Sequence, residues 1–328
     1  HSAPRVSGPG QRAVVVTRCY HCICPEFGGL MNPRRRFLLL SPLLAFEARA
    51  ADPLVWTGSP PAPDAWRSRR EQILKAMEEV MGPLPPPSTA PLDIRVHEDV
   101  RLAGFRRQRI SFAAGDGSRV RAFLCIPDRL RGKAPALLHL HQTNAFGKAE
   151  VAGVAGRENR RFVPEQARIG YIVLAPDYPY FGEAVNADPY SLGYVSGTMK
   201  GIVNHRRAVD LLLARPDVDG RRLAAIGHSL GGHNSLFAAA FDDRIRAVVT
   251  SCGFNSFAKY YGGNLTGWSS NRYMPRIASA YGKDPARMPF DFSHVLAAIA
   301  PRAIFINAPL HDDNFEVTGV QDAVRDAR

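Results

Sequence analysis

The sequence predicts an α/β fold with a largely parallel central sheet. Short apolar runs of strand length recur along the chain, as at 135–141, 171–175 and 303–308. Such runs are typical of strands that are buried on both faces. They alternate with longer helical stretches, and this alternation indicates parallel strands joined by helices. The 328 residues are 45% apolar, which is enough for one substantial core.

The first elements after the N-terminal segment are a helix, a connector and a hairpin. A helix is predicted over 64–82, because apolar residues recur there at helical spacing and Gly82 ends the pattern. The proline-rich residues 83–91 predict an extended connector. Strand-like residues 105–113 and 119–126 flank a glycine-rich turn, so we expect a hairpin that adds antiparallel strands at one edge of the sheet.

The second half of the chain continues the alternation of helices and strands. The predicted helices are 163–169, 197–215, Leu230 to about Ala240, and 317–327; the strands between them are 223–226, 247–251 and the run at 303–308. Residues 253–300 are irregular with short helices and are interpreted as a cap-like insertion. The expected α/β domain spans 92–328, preceded by the helix and linker of 51–91.

Residues 31–50 have the pattern of a secretory signal peptide. Met31 precedes a charged run, Arg34 to Arg36, and a short apolar stretch that ends in the small-residue pattern Ala48-Arg49-Ala50. The arginines also resemble the twin-arginine export signature. A buried N-terminal helix is the alternative. We therefore expect an exported, periplasmic or extracellular protein, and we interpret residues 1–30 as non-native upstream sequence and leave 1–50 out of the fold.

Composition argues against several classes of partner and cofactor. The formal net charge is +12, but no basic stripe with interleaved aromatics is present, so nucleic-acid binding is not expected. The cysteines of the C-x2-C-x-C run at 19–24 have no second ligand pair at zinc spacing. Cys125 and Cys252 lie in apolar runs and are expected to be packed thiols. We expect no metal, no organic cofactor and no stable membrane insertion, and the oligomeric state is left open.

A G-x-S-x-G motif stands where a predicted strand meets a predicted helix. In Gly227-His228-Ser229-Leu230-Gly231, the serine is placed in the sharp turn of a nucleophile elbow. The helix N-terminus supplies free N–H groups, and the Leu230 N–H is the first candidate oxyanion donor. The alternative is an elbow with a purely structural role.

The second oxyanion donor should come from the loop that follows the strand at 135–141. The backbone N–H of Gln142 or of Thr143 is the candidate. His139 and His141 lie at the end of that strand. They either hold the loop by hydrogen bonds or simply pack.

A serine triad on this topology places the acid next and the histidine last in the chain. The strand at 303–308 is followed by Asp312 and Asp313; Asp312 is our choice for the acid, and Asp313 is the alternative. No histidine follows His311. We expect a C-terminal truncation to explain this more simply than the use of another histidine, such as His228 or His233. Residues 51–328 alone should then be nearly inactive, and full-rate ester hydrolysis would contradict that expectation.

Several stretches together resemble one bacterial group. They are 66–85, LHLHQTNAFGK (138–148), APDYPYFGE (175–183), the elbow region 227–245, and NAPLHDDNFEV (307–317). These are similar to exported acetyl xylan esterases and dienelactone hydrolases of the α/β-hydrolase superfamily. The resemblance implies an α/β-hydrolase fold, an acyl-transfer mechanism on Ser229 and Asp312 as the acid. A dienelactone hydrolase proper uses a cysteine nucleophile, so that exact reaction is not expected.

The substrate is indicated only by aromatic residues. Tyr178 and Tyr180 follow a strand at the carboxyl edge of the sheet, and Tyr260, Trp268 and Tyr273 lie in the cap-like insertion. They are candidates to line a substrate pocket or to pack beneath a long loop. We expect the substrate to be a small-molecule or carbohydrate ester. This class includes the acetyl esters of plant polysaccharides. The alternatives are a serine peptidase of prolyl-oligopeptidase type and a catalytically inactive hydrolase fold that acts as a binding protein.

Overall fold

The computed structural model describes Val15–Thr17 and residues 63–327. The expected signal peptide at 31–50 and the cysteine-rich run at 19–24 lie outside the described residues. Within the described residues, no helix is long and apolar enough to cross a membrane.

The described strands form a single sheet. In chain order they are β1 (Val15–Thr17), β2 (Arg95–Leu102), β3 (Phe105–Ala113), β4 (Arg119–Pro127), β5 (Ala134–Leu140), β6 (Ile172–Pro176), β7 (Val218–His228), β8 (Ala247–Ser251) and β9 (Ala303–Asn307). Their spatial order is β1-β9-β8-β7-β5-β6-β4-β3-β2.

Parallel pairing dominates one part of the sheet, and antiparallel pairing forms the other edge. β6, β5, β7, β8, β9 and β1 are mutually parallel, whereas β4, β3 and β2 pair antiparallel to their neighbours. His228, Ser251 and Asn307 are register partners at the ends of β7, β8 and β9. The carboxyl ends of the parallel strands therefore lie together at one edge, where ligands of open α/β sheets bind.

The described helices cover both faces of this sheet. They are α1 (Pro63–Met81), α2 (Lys148–Val151), α3 (Phe162–Arg168), α4 (Gly197–Ala214), α5 (Leu230–Phe241), α6 (Arg276–Ser279), α7 (Phe292–Ile299) and α8 (Val317–Asp326). Alternate residues of one strand face opposite sides. Leu138 of β5 belongs to the larger core cluster, which includes α4, α5 and α7, whereas Leu137 packs in a smaller cluster with α2 and α3.

The structure adds two strands and lengthens a third. β2 was not predicted, because its sequence RVHEDVRL lacks the apolar alternation of a half-buried strand and most of it is exposed at the sheet edge. β1 lies in the segment left out of the fold and pairs with β9. β7 begins at Val218 rather than 223, since its first residue pairs with Ala134 of β5.

The two cysteines that lie among the described residues differ in burial. Cys125 is fully buried, and burial raises the pKa of its thiol to about 12. This agrees with the expected packed thiol. Cys252 is only partly buried and has a positive φ of 52°.

Candidate active site

Ser229 lies in a strained turn between β7 and α5. Its φ is 52° and its ψ is −122°, a combination that is rare for a residue with a side chain. The turn is held from both sides. The Ser229 N–H donates to the Ser251 carbonyl at 2.7 Å, and the Ser229 carbonyl accepts from the His233 N–H at 3.0 Å. This geometry is the one that the G-x-S-x-G motif predicts for an exposed hydroxyl at the sheet edge.

Two glycines let α5 approach the sheet closely. A Cβ on Gly231 would overlap the carbonyl oxygen of Leu140 and lie 3.0 Å from that of His141. A Cβ on Gly232 would lie 2.5 Å from the hydroxyl oxygen of Thr250. The start of α5 therefore lies directly against the end of β5 and the loop that follows it.

The predicted oxyanion donors meet at this contact. Leu230 is the first residue of α5, where backbone N–H groups have no partner within the helix. In the described part of the chain, the backbone N–H groups of Gln142 and Thr143 donate to no protein acceptor. Thus both halves of the predicted donor pair have free N–H groups, and the two segments that carry them are in contact.

The two histidines at the end of β5 are buried and hydrogen-bonded. His139 Nδ1 lies 2.8 Å from Gln166 Oε1, and His141 Nδ1 lies 2.8 Å from the Gln142 carbonyl oxygen. Burial lowers the pKa of His139 to about 4 and also lowers the pKa of His141. The His141 ring holds the loop, whereas the His139 ring bonds to α3 instead.

Asp312 and Asp313 follow β9 but have different surroundings. Asp312 is half-buried, and its Oδ1 accepts the N–H groups of Asn314 at 2.9 Å and Phe315 at 3.0 Å. Asp313 is exposed. The bonds to Oδ1 orient the Asp312 carboxylate and leave its other oxygen free to accept from another donor.

Among the described residues, no histidine side chain hydrogen-bonds to the side chain of Ser229 or Asp312. His228 Nδ1 lies 3.3 Å from Ser251 Oγ, whose hydroxyl also accepts from Asn307 Nδ2 at 3.0 Å. Burial, aided by the charge of Arg160, lowers the pKa of His228 to about 4, against the opposing effect of the Asp312 carboxylate. His228 thus lies near the acid without reaching it.

His233 and His311 are also not placed to act on the serine. His233 is fully buried, and its ring stacks on Trp268 with 4.6 Å between centroids. His311 is exposed at the loop after β9.

The candidate pocket aromatics separate into two groups. Tyr260 and Trp268 are 6% and 4% exposed and pack against each other and against Phe315, so the packing alternative applies to them. Tyr178 is also buried, at 3% exposure, and donates its hydroxyl to the His141 carbonyl rather than facing a ligand. The burial of these three side chains fits the packing alternative better than the pocket-lining one.

Tyr273 and Tyr180 remain partly exposed near the same edge. The Tyr273 hydroxyl lies 3.3 Å from the Thr143 hydroxyl, which links the 253–300 segment to the oxyanion loop. Tyr180 has a positive φ of 73° in the turn after β6. These two side chains are therefore the members of the predicted set that are placed to meet a ligand.

Sequence reasoning missed a buried ion pair behind the oxyanion loop. Lys148 Nζ lies 2.6 Å from Asp177 Oδ2 and 2.6 Å from Glu183 Oε1. Lys148 and Asp177 are each 1% exposed. A lysine at the start of a helix ordinarily indicates a solvated surface, so the local sequence carried no signal for this pairing.

A family model described as the alpha/beta hydrolase fold matches residues 136–288. The protein named "Putative hydrolase YtaP" of Bacillus subtilis (strain 168) is 28% identical over 210 residues, covering 61% of this chain and 67% of that protein. Carbohydrate esterase MZ0003 of an unknown prokaryotic organism is 25% identical over 116 residues, which are 32% of this chain and 26% of that protein.

Solved structures share the fold at low sequence identity. The glucuronoyl esterase from Solibacter usitatus superposes with a TM-score of 0.64 at 21% identity, covering 81% of this chain and 80% of that one. Acetyl xylan esterase 1 from Thermoanaerobacterium sp. JW/SL YS485 gives a TM-score of 0.53 at 18% identity, covering 83% and 87%. The predicted α/β-hydrolase fold is confirmed.

Proposed function

Since this chain has the α/β-hydrolase fold and is similar to hydrolases, we propose that it is a serine-dependent carboxylic ester hydrolase. Ser229 is the nucleophile. Leu230 supplies one oxyanion N–H, Gln142 or Thr143 supplies the other, and Asp312 is the acid that orients a histidine base.

The backbone of Ser229 is the observation that carries this proposal. A serine with φ of 52° adopts a conformation that is costly for a residue with a side chain, and such strain is concentrated at functional sites. The strain lifts the hydroxyl to the sheet edge beside the free N–H groups of the 141–144 loop. A purely structural turn at this position would be better served by glycine, which has no steric penalty at positive φ.

The proposed reaction is acyl transfer in two steps. Ser229 Oγ attacks the ester carbonyl carbon, and the negative charge that forms on the carbonyl oxygen is stabilised by the backbone donors. The ester C–O bond then breaks, and the alcohol leaves with the proton from the serine. Water next attacks the acyl-enzyme, which releases the carboxylic acid and restores the serine hydroxyl.

An acetyl ester on a carbohydrate is the proposed substrate. The sequence resemblance supports this class, as does the similarity to a carbohydrate esterase over part of the chain. Tyr273 and Tyr180 offer partly exposed rings beside the loop that carries Gln142 and Thr143, and aromatic faces pack well against apolar sugar faces.

The decisive experiment is a substrate panel measured with a matched pair of serine variants. The panel contains p-nitrophenyl acetate, acetylated xylan and a dipeptidyl amide. Ser229→Ala should abolish acetyl release. Ser88→Ala is the control, because this serine lies in the proline-rich connector and its hydroxyl accepts from the Ala90 N–H of the same loop at 3.2 Å; its activity should equal wild type.

The panel also separates the alternatives. Cleavage of the dipeptidyl amide in preference to the acetyl esters would favour a serine peptidase. Equal rates in wild type and Ser229→Ala, measured with imidazole present as an added base, would reject the serine mechanism and favour a binding protein with an inactive hydrolase fold.

We further propose that the protein is exported, on the basis of the signal-like segment 31–50. N-terminal sequencing of the protein expressed in a bacterial host tests this. A mature chain that begins at Ala51 and is recovered outside the cytoplasm supports export, and an uncleaved cytoplasmic chain contradicts it.

A further inference from the structure

The buried hydroxyl of Tyr178 joins the oxyanion loop to the nucleophile helix. Tyr178 follows β6, and its hydroxyl donates to the carbonyl oxygen of His141 and lies beside the Asn234 side chain on α5. A phenol has one hydrogen, and a carbonyl can only accept. Because that hydrogen is donated to His141, the Asn234 amide can approach the Tyr178 oxygen only as a donor, and this oxygen lies between the two segments.

Holding a carbonyl fixes the N–H of the same peptide. In a trans peptide the C=O and N–H groups point in opposite directions. The His141 carbonyl faces α5, since it lies near the position of an added Cβ on Gly231. The Gln142 N–H, which belongs to the same peptide, consequently points away from α5.

The next peptide is held as well. The Gln142 carbonyl accepts from His141 Nδ1 at 2.8 Å and from Asn144 Nδ2 at 3.0 Å. Because a carbonyl cannot donate, His141 carries its ring proton on Nδ1. These two bonds fix the peptide that also carries the Thr143 N–H, and this N–H donates to no acceptor among the described residues.

A buried ion pair holds the residue next to Tyr178 in place. The neighbouring Asp177 accepts from Lys148 Nζ at 2.6 Å, from the Lys148 N–H at 2.8 Å and from the Glu183 N–H at 3.0 Å. Breaking one partner of a buried ion pair is costly, so this arrangement resists local movement. The Lys148 backbone also begins α2, so the same carboxylate fixes the far end of the loop.

The Tyr178 ring is held together with its hydroxyl. It stacks on the His141 ring with 3.9 Å between centroids and an interplanar angle of 8°. Burial raises the pKa of Tyr178 well above its usual value, so the hydroxyl stays protonated and continues to donate.

We propose that Tyr178 is the positioning residue of the oxyanion hole. Its hydroxyl ties the loop that carries the Thr143 N–H to the helix that begins with the Leu230 N–H, and so sets the spacing between the two donors. Thr143, rather than Gln142, is the second donor. This inference rests on the proposed ester hydrolysis.

The test removes the hydroxyl and retains the ring. Tyr178→Phe should lower kcat about tenfold or more with KM little changed, since loss of a whole oxyanion donor costs 10²–10³-fold. Asn234→Ala, which removes the other end of the bridge, should do the same. Tyr194→Phe is the matched control: that hydroxyl donates to Asp116 at 2.7 Å, in the turn between β3 and β4, and its loss should leave kcat as in wild type.

A thionoester separates positioning from general damage. Sulfur accepts hydrogen bonds poorly, so a well-aligned oxyanion hole favours p-nitrophenyl acetate over its thiono analogue. The ratio of the two kcat/KM values should fall in Tyr178→Phe and Asn234→Ala and stay constant in Tyr194→Phe. A merely destabilised enzyme would lose both activities in proportion and keep the ratio, which would overturn the proposal.

Amide hydrogen exchange of residues 141–147 provides a readout without turnover. Exchange should be faster in Tyr178→Phe than in wild type or Tyr194→Phe, and unchanged exchange would overturn the proposal. If wild type shows no Ser229-dependent hydrolysis even with imidazole present as an added base, the proposed function fails by itself, and the exchange measurement alone decides whether Tyr178 holds the loop.

Discussion

At the scale of single residues, burial separates side chains that look equivalent in the sequence. His233 and His228 both flank the elbow, yet His233 is fully buried and packs among Phe237, Trp268 and Phe292. Neither ring nitrogen of His233 has a hydrogen-bond partner in the described structure. His233 is therefore a core residue and is not a candidate base for the proposed ester hydrolysis.

His233 should make the protein sensitive to acid. Burial lowers its pKa to about 3, whereas a histidine in the unfolded chain has a pKa of about 6.5. Below pH 6.5 the unfolded state therefore binds a proton that the folded state does not, and stability falls as the pH drops. In His233→Phe, the loss of unfolding free energy between pH 7.5 and 5.0 should be smaller by about 2 kcal/mol.

Urea unfolding at the two pH values measures this difference. His311→Gln, which replaces an exposed histidine, is the control and should keep the acid sensitivity of wild type. An equal loss in wild type and His233→Phe would show that other groups cause the acid sensitivity.

At the scale of elements, one arginine ties three helices together. Arg70 of α1 donates to the Ala240 carbonyl in α5 at 2.7 Å and to the Ala298 carbonyl in α7 at 2.9 Å. Carbonyls in the last turn of a helix have no partner within it, and the negative end of the helix dipole favours a cation there. α1 therefore belongs to the layer that supports α5.

Arg70→Ala should lower the free energy of unfolding by about 2–3 kcal/mol, because two helix-end carbonyls lose a charged donor. The exposed Arg69→Ala is the matched control on the same helix, and its effect should stay within about 0.5 kcal/mol. Chemical denaturation of the three proteins tests this. Equal effects of the two substitutions would show that the hydrogen bonds of Arg70 to α5 and α7 do not stabilise the fold.

At the scale of the whole molecule, the sheet brings distant segments to one edge. The elbow after β7, the loop after β5 and the acid after β9 converge there, and Tyr273 joins them from the 253–300 segment. Within the part of the chain that the structure describes, this convergence brings together the proposed nucleophile and the proposed oxyanion donors, but no histidine side chain hydrogen-bonds to the Ser229 side chain.

A base added from solution should therefore raise the rate. With imidazole present, wild type should hydrolyse p-nitrophenyl acetate severalfold faster than without it, after subtraction of the rate for Ser229→Ala. Imidazole is small enough to reach a half-buried hydroxyl and deprotonate it directly. A wild-type rate that is already high and does not respond to imidazole would show that a histidine reaches the serine in solution.

The sequence by itself determined seven of the nine described strands, the main helices and the sharp turn at Ser229. Each depends on residues that are close together in the chain: apolar runs between breakers, helical periodicity, and glycines beside one serine. The charged β2 escaped prediction because its pairing with β3, rather than its own pattern, makes it a strand.

Only the tertiary structure decided how the site is supported. Local sequence does not distinguish a Tyr178 that faces a ligand from one that holds the His141 carbonyl, nor Asp312 from Asp313. Lys148 and Asp177 are 29 positions apart, and their ion pair exists because β6 and the loop after β5 reach the same edge of the sheet. Burial, and hydrogen bonds between residues so far apart in the chain, arise only when the chain packs. The local sequence therefore does not predict them.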